Sequence, residues 1–196
     1  MGYLLQNGGL GMAGDWIITG GRPLQGRVEV PAAKNSVLPL LAAALLCSGP
    51  VRLQNVPRLT DVEDCLALLR GVGCTALEGT ELVVQGQPMR TDLAPEAAGR
   101  MRASILFCAP LLARLGRVST VLPGGCRIGA RPIDLHLQGL AQMSVRQLPA
   151  APGQLTLYAP AGLRGAEICL AFPSVGATET LLLAAATAQG QTVLHG

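Results

Sequence analysis

Three apolar segments of one layout constrain what this chain can fold into more than any other feature. The first runs from Ser36 to Leu46 and closes at Gly49; the second runs from Ser104 to Ala113 and closes at Gly116; the third runs from Thr180 to Ala188 and closes at Gly190. A short strand pattern follows each of them, at Val51–Val56, Val118–Leu122 and Gln191–Leu194. Successive units are therefore roughly 70 residues apart, a spacing that marks a repeated supersecondary unit. Each reads as a helix, a glycine C-cap and a strand. Helices apolar nearly all round have to be buried on all sides, so the helices belong inside and the sheets outside.

The intervals fill in the rest of the unit. After the first strand comes an amphipathic helix, Asp61–Leu69, with Thr60 as N-cap and Val62, Cys65, Leu66 and Leu69 on one face. Two short strands follow, Thr75–Leu77 and Glu81–Val84. The second interval repeats the order, with a helix from Pro132 and strands at Ser144–Leu148 and Gln154–Tyr158. Upstream, Trp16–Ile18 is a short strand pattern, Arg27–Val30 alternates as a half-buried strand until Pro31 stops it, and a helix begins near Lys34. The expected fold class is α/β: an inside-out lobe of repeated β-α-β-α-β-β units with buried helices, two units full and the third truncated after its first helix and strand. Residues 1–14, rich in glycine, read as a flexible extension.

Bulk properties exclude several functions. A chain of 196 residues, 49% hydrophobic and 14% charged, is globular rather than disordered. A net charge of +3 with 3% aromatics lacks the basic, aromatic-interleaved character of a nucleic-acid binder. The longest apolar run, Val37–Cys47, is far short of the ~20 residues that span a bilayer, and Met1–Asp15 lacks the basic region of a signal peptide, so the expectation is a cytoplasmic protein with no membrane partner. No C-x-x-C pair and two histidines argue against a zinc site or a disulfide framework. His136 is expected at a surface or capping position on a helix.

The chemistry concentrates elsewhere. Cys126 stands between Gly124-Gly125 and two arginines, Arg127 and Arg131, in solvated, electropositive sequence. Nearby cations lower a thiol pKa and make it reactive, whereas burial raises it. Cys47, Cys65, Cys74, Cys108 and Cys169 lie in or beside apolar runs and read as small buried hydrophobes. Lys34, Arg102 and Arg131 each stand at or just before an expected helix start, where backbone N–H groups and the dipole also favour anions. Lys34 is the only lysine in a chain otherwise biased to arginine, which suits a compact point charge. Ser174–Thr178 before the third helix reads either as a phosphate cradle or as a simple cap.

The run from Pro123 to His136, with Ala33–Ser36, Met101–Ser104 and Pro173–Thr178, resembles the UDP-N-acetylglucosamine 1-carboxyvinyltransferases, a family of enolpyruvyl transferases, over about Gly20 to the last residue and in the N-terminal portion only. The resemblance implies two lobes of three such units each, residues 27–196 being the first and 15–26 a strand segment shared with the second. It implies transfer of the enolpyruvyl group of phosphoenolpyruvate to the 3-hydroxyl of UDP-N-acetylglucosamine, opening peptidoglycan synthesis, with no metal or organic cofactor. Phosphoenolpyruvate would contact Lys34, Asn35, Arg102, Cys126 and Arg131. The nucleotide sugar would run along Arg102, Arg131, Pro132, Ile133, Asp134 and Leu135 towards Ser174, Val175 and Gly176. Cys126 would be the catalytic general acid. The aspartate base and a further arginine belong to the absent second lobe, so a fragment inactive alone is implied. Two positions depart from the family pattern, Phe172 before Pro173 and Gln142-Met143-Ser144 after the second unit's helix. A non-catalytic remnant, binding an anion or nucleotide sugar without turnover, is the alternative. The sister enzyme acting on shikimate 3-phosphate shares the repeat and lacks the cysteine loop.

Overall fold

The computed structural model describes residues 21, 23, 25–28, 30, 32–124 and 133–196. The chain divides by its contacts into residues 1–30 and 31–196. In the first division the described residues carry no helix or strand, and Val28 and Val30 are exposed. The expected strand at Arg27–Val30 thus does not appear among its described residues, Arg27, Val28 and Val30: alternation alone makes no strand without a hydrogen-bonded neighbour. The Trp16–Ile18 strand and the Met1–Gly14 extension lie outside the described residues.

Residues 31–196 hold three versions of one unit. In the first, α1 (Lys34–Ala43) runs on through a 3-10 turn to Leu46 and leads to β1 (Val51–Gln54), then α2 (Thr60–Gly71), β2 (Thr75–Glu78) and β3 (Glu81–Gln85). In the second, a short α3 (Pro95–Arg100) precedes a 3-10 segment (Arg102–Phe107) and α4 (Cys108–Leu115). There follow β4 (Arg117–Val121), α5 (Asp134–Gln142), β5 (Arg146–Leu148) and β6 (Gln154–Tyr158). The third comprises β7 (Glu167–Cys169), α6 (Val175–Ala185) and β8 (Val193–His195). The first two sheets share the order β1-β3-β2 and β4-β6-β5, antiparallel throughout, with Val51 opposite Val84 and Val118 opposite Leu157. The opening strand of a unit pairs in parallel across its helix: β7 beside β8, and in the second unit a single bridge from Asp92 to Ser119.

The helices form the core. Leu41, Ala42 and Leu45, the run Cys108, Ala109, Leu111 and Leu112, and Ala177, Leu181 and Ala184 are fully buried. At ~25 cal/mol per Å2 of apolar surface, each such leucine contributes about 1.5–3 kcal/mol. Exposed Leu40 and Leu182 show that α1 and α6 each keep one outward face, which continuous apolar sequence does not reveal. No helix among the described residues is long and apolar enough to cross a membrane.

Three local expectations change. Thr60 is the first helical residue and not the N-cap: the carbonyl of Leu59 accepts from Val62 and Glu63, and Asp61 and Glu63 in the first turn complement the dipole instead. Gly49 does not cap α1, because Arg114 reaches across from α4 to donate to the carbonyls of Leu45 (3.0 Å) and Leu46 (2.5 Å). Gly190 lies beyond the end of α6, past Gln189, whose N–H bonds the carbonyl of Leu163.

Gly116 alone behaves as the repeat suggests, left-handed at φ 69° behind α4, with its N–H on the carbonyl of Leu112. A Cβ there would sit 3.2 Å from the carbonyl oxygen of Ala159. Gly116→Ala is expected to cost about 1–2 kcal/mol, read as a lower urea midpoint at unchanged m-value.

Candidate functional site

The repeat brings three helix starts to one place. Asn35 from the first turn of α1, Arg102 and Ala103 from the start of the 3-10 segment, and Val175, Gly176 and Glu179 from the first turns of α6 line one cavity of about 260 Å3, with His136 of α5 in its wall. Inside α1, Pro39 also lines the cavity; lacking an N–H, it cannot bond the carbonyl of Asn35 four residues earlier. None of these three starts has an acidic residue in its first turn, whereas α2, α3 and α5 carry Asp61 and Glu63, Glu96, and Asp134. The starts facing the cavity therefore keep their positive ends uncompensated, which favours an anion there.

Of the residues singled out in sequence, Asn35, Arg102, Val175 and Gly176 meet at this cavity. Lys34, next to Asn35, pairs through Nζ with Asp61 Oδ2 at 2.8 Å, the two side chains 47% and 35% exposed. Ser174 is the N-cap of α6: its Oγ accepts from the Ala177 N–H and its carbonyl from Thr178, so its hydroxyl serves the cap. Ile133 and Leu135 are half-buried, and exposed Asp134 opens α5, two residues after the expected start at Pro132. Cys126, Arg131 and Pro132 lie outside the described residues. What precedes them is fixed: a Cβ on Gly124 would overlap the carbonyl oxygen of Gly99 at 1.8 Å, so only glycine lets the chain pass α3 there.

The cysteines separate into two groups. Burial, aided by the charges of Asp61 and Asp64, pushes the Cys65 thiol up to about 12; burial alone does the same to Cys108 and raises Cys74. Cys47 and Cys169 are exposed, contrary to their apolar sequence neighbours, because Cys47 follows the last turn of the first helix and Cys169 points outward from an edge strand.

His136 is the residue that sequence reasoning misplaced. It is 2% exposed rather than a surface or capping group, and its Nδ1 lies 2.8 Å from Thr180 Oγ1. Its i+3 and i+4 neighbours are Gly139 and Leu140, both buried, and that helical spacing was the available signal. Burial first, and the charge of Arg102 second, lower its pKa from 6.5 to about 4. Glu179, in the same cavity, is raised by burial. The pair Asp64 and Arg100, away from this cavity, is structural: Arg100 grips the 5%-exposed Asp64 through Nε and Nη2 and ties α3 to α2.

A repeated inside-out α/β lobe whose helix starts converge on one cavity is a fold shared with the enolpyruvyl transferases. The chain belongs to the EPSP synthase (3-phosphoshikimate 1-carboxyvinyltransferase) family, whose model matches residues 18–196. Within it, the chain is similar to the UDP-N-acetylglucosamine 1-carboxyvinyltransferases of Coprothermobacter proteolyticus, 46% identical over 180 residues, and of Acidiphilium cryptum, 45% over 179. These matches cover 91% and 90% of this chain but 42% and 43% of the relatives. Among solved structures, the enolpyruvyl transferase NikO of Streptomyces tendae superposes with a TM-score of 0.73 at 24% identity, over 89% of this chain and 41% of that one. EPSP synthase of Acinetobacter baumannii gives 0.65 at 17%, over 86% and 40%. At those identities the likeness is one of fold.

Burial of neutral His136 makes stability depend on pH. Below 6.5 the unfolded imidazole takes a proton that the folded chain refuses until about 4, so stability falls as pH drops through that window. The full effect is on the order of 3 kcal/mol. Urea unfolding between pH 4 and 8 is expected to show this slope in the parent chain and a shallower one in His136→Asn.

Proposed function

We propose that this chain supplies one substrate-binding lobe of a UDP-N-acetylglucosamine 1-carboxyvinyltransferase. The observation that carries the reading is the meeting of Asn35, Arg102, Val175 and Gly176 at one uncompensated anion site, in a chain this similar to enzymes of that name. Residues 27–196 are taken as the first lobe, residues 15–26 as a strand shared with the second, and residues 1–14 as an extension. Phosphoenolpyruvate lies against Lys34, Asn35, Arg102, Cys126 and Arg131. The nucleotide sugar lies along Arg102, Arg131, Pro132, Ile133, Asp134 and Leu135, with its diphosphate towards Ser174, Val175 and Gly176.

In this reading the Cys126 thiol gives its proton to the methylene carbon of the enol, and the sugar 3-hydroxyl attacks C2 as a base takes its proton. Loss of a proton from the new methyl group and departure of phosphate then regenerate the enol ether; the thiolate can also hold a phospholactoyl adduct. Lys34 reaches the phosphate by leaving Asp61, a half-exposed pair of the kind worth about 0–1 kcal/mol and so easily exchanged. The reaction is the first committed step of peptidoglycan synthesis, which links the protein to cell wall biogenesis, cell shape and division in the cytoplasm. The chain spans about two fifths of the relatives' length, and the base and a further arginine are assigned to the remainder. A binding module without turnover is favoured by that span alone.

Two tests follow from these roles. The 196-residue chain is expected to release no phosphate from phosphoenolpyruvate plus UDP-N-acetylglucosamine, and to do so when the remaining lobe is supplied. There Lys34→Arg should lose most activity and Cys126→Ala should lose about 10²-fold or more. Steady turnover by the 196 residues alone would overturn the division of labour. In peptide mapping at neutral pH, fosfomycin is expected to label Cys126 first, while iodoacetamide also reaches exposed Cys47 and Cys169 and leaves Cys65 and Cys108 untouched.

A further inference from the structure

The hydroxyl of Thr180 sits 3.0 Å from the carbonyl of Gly176 and 2.8 Å from His136 Nδ1. A threonine has one proton to give, and a carbonyl can only accept, so the hydroxyl donates to Gly176 and accepts from His136. This fixes the tautomer: Nδ1 carries the hydrogen, and Nε2 holds a lone pair. Nε2 is directed at the first turn of α6, 3.5 Å from where a Cβ on Gly176 would stand, and has no hydrogen-bond partner among the described residues. It belongs to a side chain 98% buried, in the wall of the cavity that Arg102 and the start of α6 also line.

Protonation of this ring would change only Nε2. The Nδ1–H bond to Thr180 and the Thr180 bond to Gly176 are the same in imidazole and imidazolium, so the link between α5 and α6 survives. The other ionisable groups of the cavity are Arg102 from the 3-10 segment and Glu179 from α6; Lys34 of α1 is held by Asp61, and Asp134, on α5 with His136, is exposed. Without an anion, burial and Arg102 keep His136 neutral. A dianion against Arg102 and the Val175 and Gly176 N–H groups reverses the sign of the local field, and an opposite charge within about 4–6 Å favours the protonated ring.

We infer that the cavity takes a phosphate-type dianion and that its binding places a solvent-derived proton on His136 Nε2, which then donates to the anion. On the proposed function, on which this inference rests, the dianion is the diphosphate of the nucleotide sugar. The coupling makes affinity rise with falling pH, up to tenfold per unit, between the bound and free midpoints of the ring.

The experiment is an NMR titration of the histidine rings in the 196-residue chain, with His195 assigned by substitution. It is run in chloride, with sulfate, and with UDP-N-acetylglucosamine, both of which keep a charge of about −2 from pH 5 to 8. The expected result is a His136 midpoint near 4 in chloride and at least one unit higher with either ligand. Calorimetry in buffers of different ionisation heat should show proton uptake on binding, absent in His136→Asn, whose amide can still donate to Thr180. A midpoint unmoved by both ligands, or uptake that persists in His136→Asn, overturns the inference. A shift with sulfate and no binding of UDP-N-acetylglucosamine supports the coupling and removes the nucleotide-sugar reading. Binding of UDP-N-acetylglucosamine without a shift leaves that reading in place and refutes the coupling.

Discussion

What the rest of the structure depends on is the way the helix ends are satisfied. Every helix leaves free carbonyls at one end and free N–H groups at the other. In the two complete units the carbonyl ends are closed within the lobe, those of α1 by Arg114 from α4 and those of α4 by the left-handed Gly116. Among the described residues the starts at Lys34 and Arg102 receive no side-chain cap, and α6 alone has one, from Ser174. Because burial of the apolar helices holds these starts together, the unspent donors collect at one cavity. The same packing that stabilises the core therefore creates the cavity proposed to take an anion.

Two arginines, two residues apart, show how finely the chain separates support from function. Arg100 ends α3 and clamps Asp64; the carboxylate is buried while the guanidinium is largely exposed, so removing Arg100 leaves a buried carboxylate without its partner. Met101 then turns extended, at φ −128° and ψ 143°, and the next residue, Arg102, starts a new segment at the cavity. A single non-helical residue thus sends one guanidinium to the framework and the next to the site.

The repeat was legible because glycine, apolar runs and strand alternation recur at a fixed interval, and the positions of Lys34, Arg102 and Ser174 at helix starts were legible with it. Other features depend on contacts that local sequence does not encode. The cap on α1 comes from Arg114, almost seventy residues downstream, so Gly49 looked like the cap it is not. Exposed Cys47 and Cys169 sit at element edges, where apolar neighbours in sequence are not neighbours in space. Buried His136 needs Thr180 from another unit to satisfy it, and a lone histidine beside Asp134 gives no hint of that partner.

The charge balance of the cavity gives these details a common meaning. A site holding several bare cations before its ligand arrived would be destabilised by their repulsion, about 4 kcal/mol for two unit charges 4 Å apart at an effective dielectric of 20. Here Lys34 and His136 are held in reserve. Lys34 is neutralised by Asp61 in a half-exposed pair that costs little to open. His136 is uncharged, with its spare lone pair already aimed at the first turn of α6. Glu179, raised by burial, weakens as a competing anion once protonated. A dianion entering the cavity thus meets a site whose positive charge can increase on demand, while the buried relay from His136 through Thr180 to Gly176 stays intact. The empty lobe keeps its stability, and the charge appears only where and when the ligand compensates it.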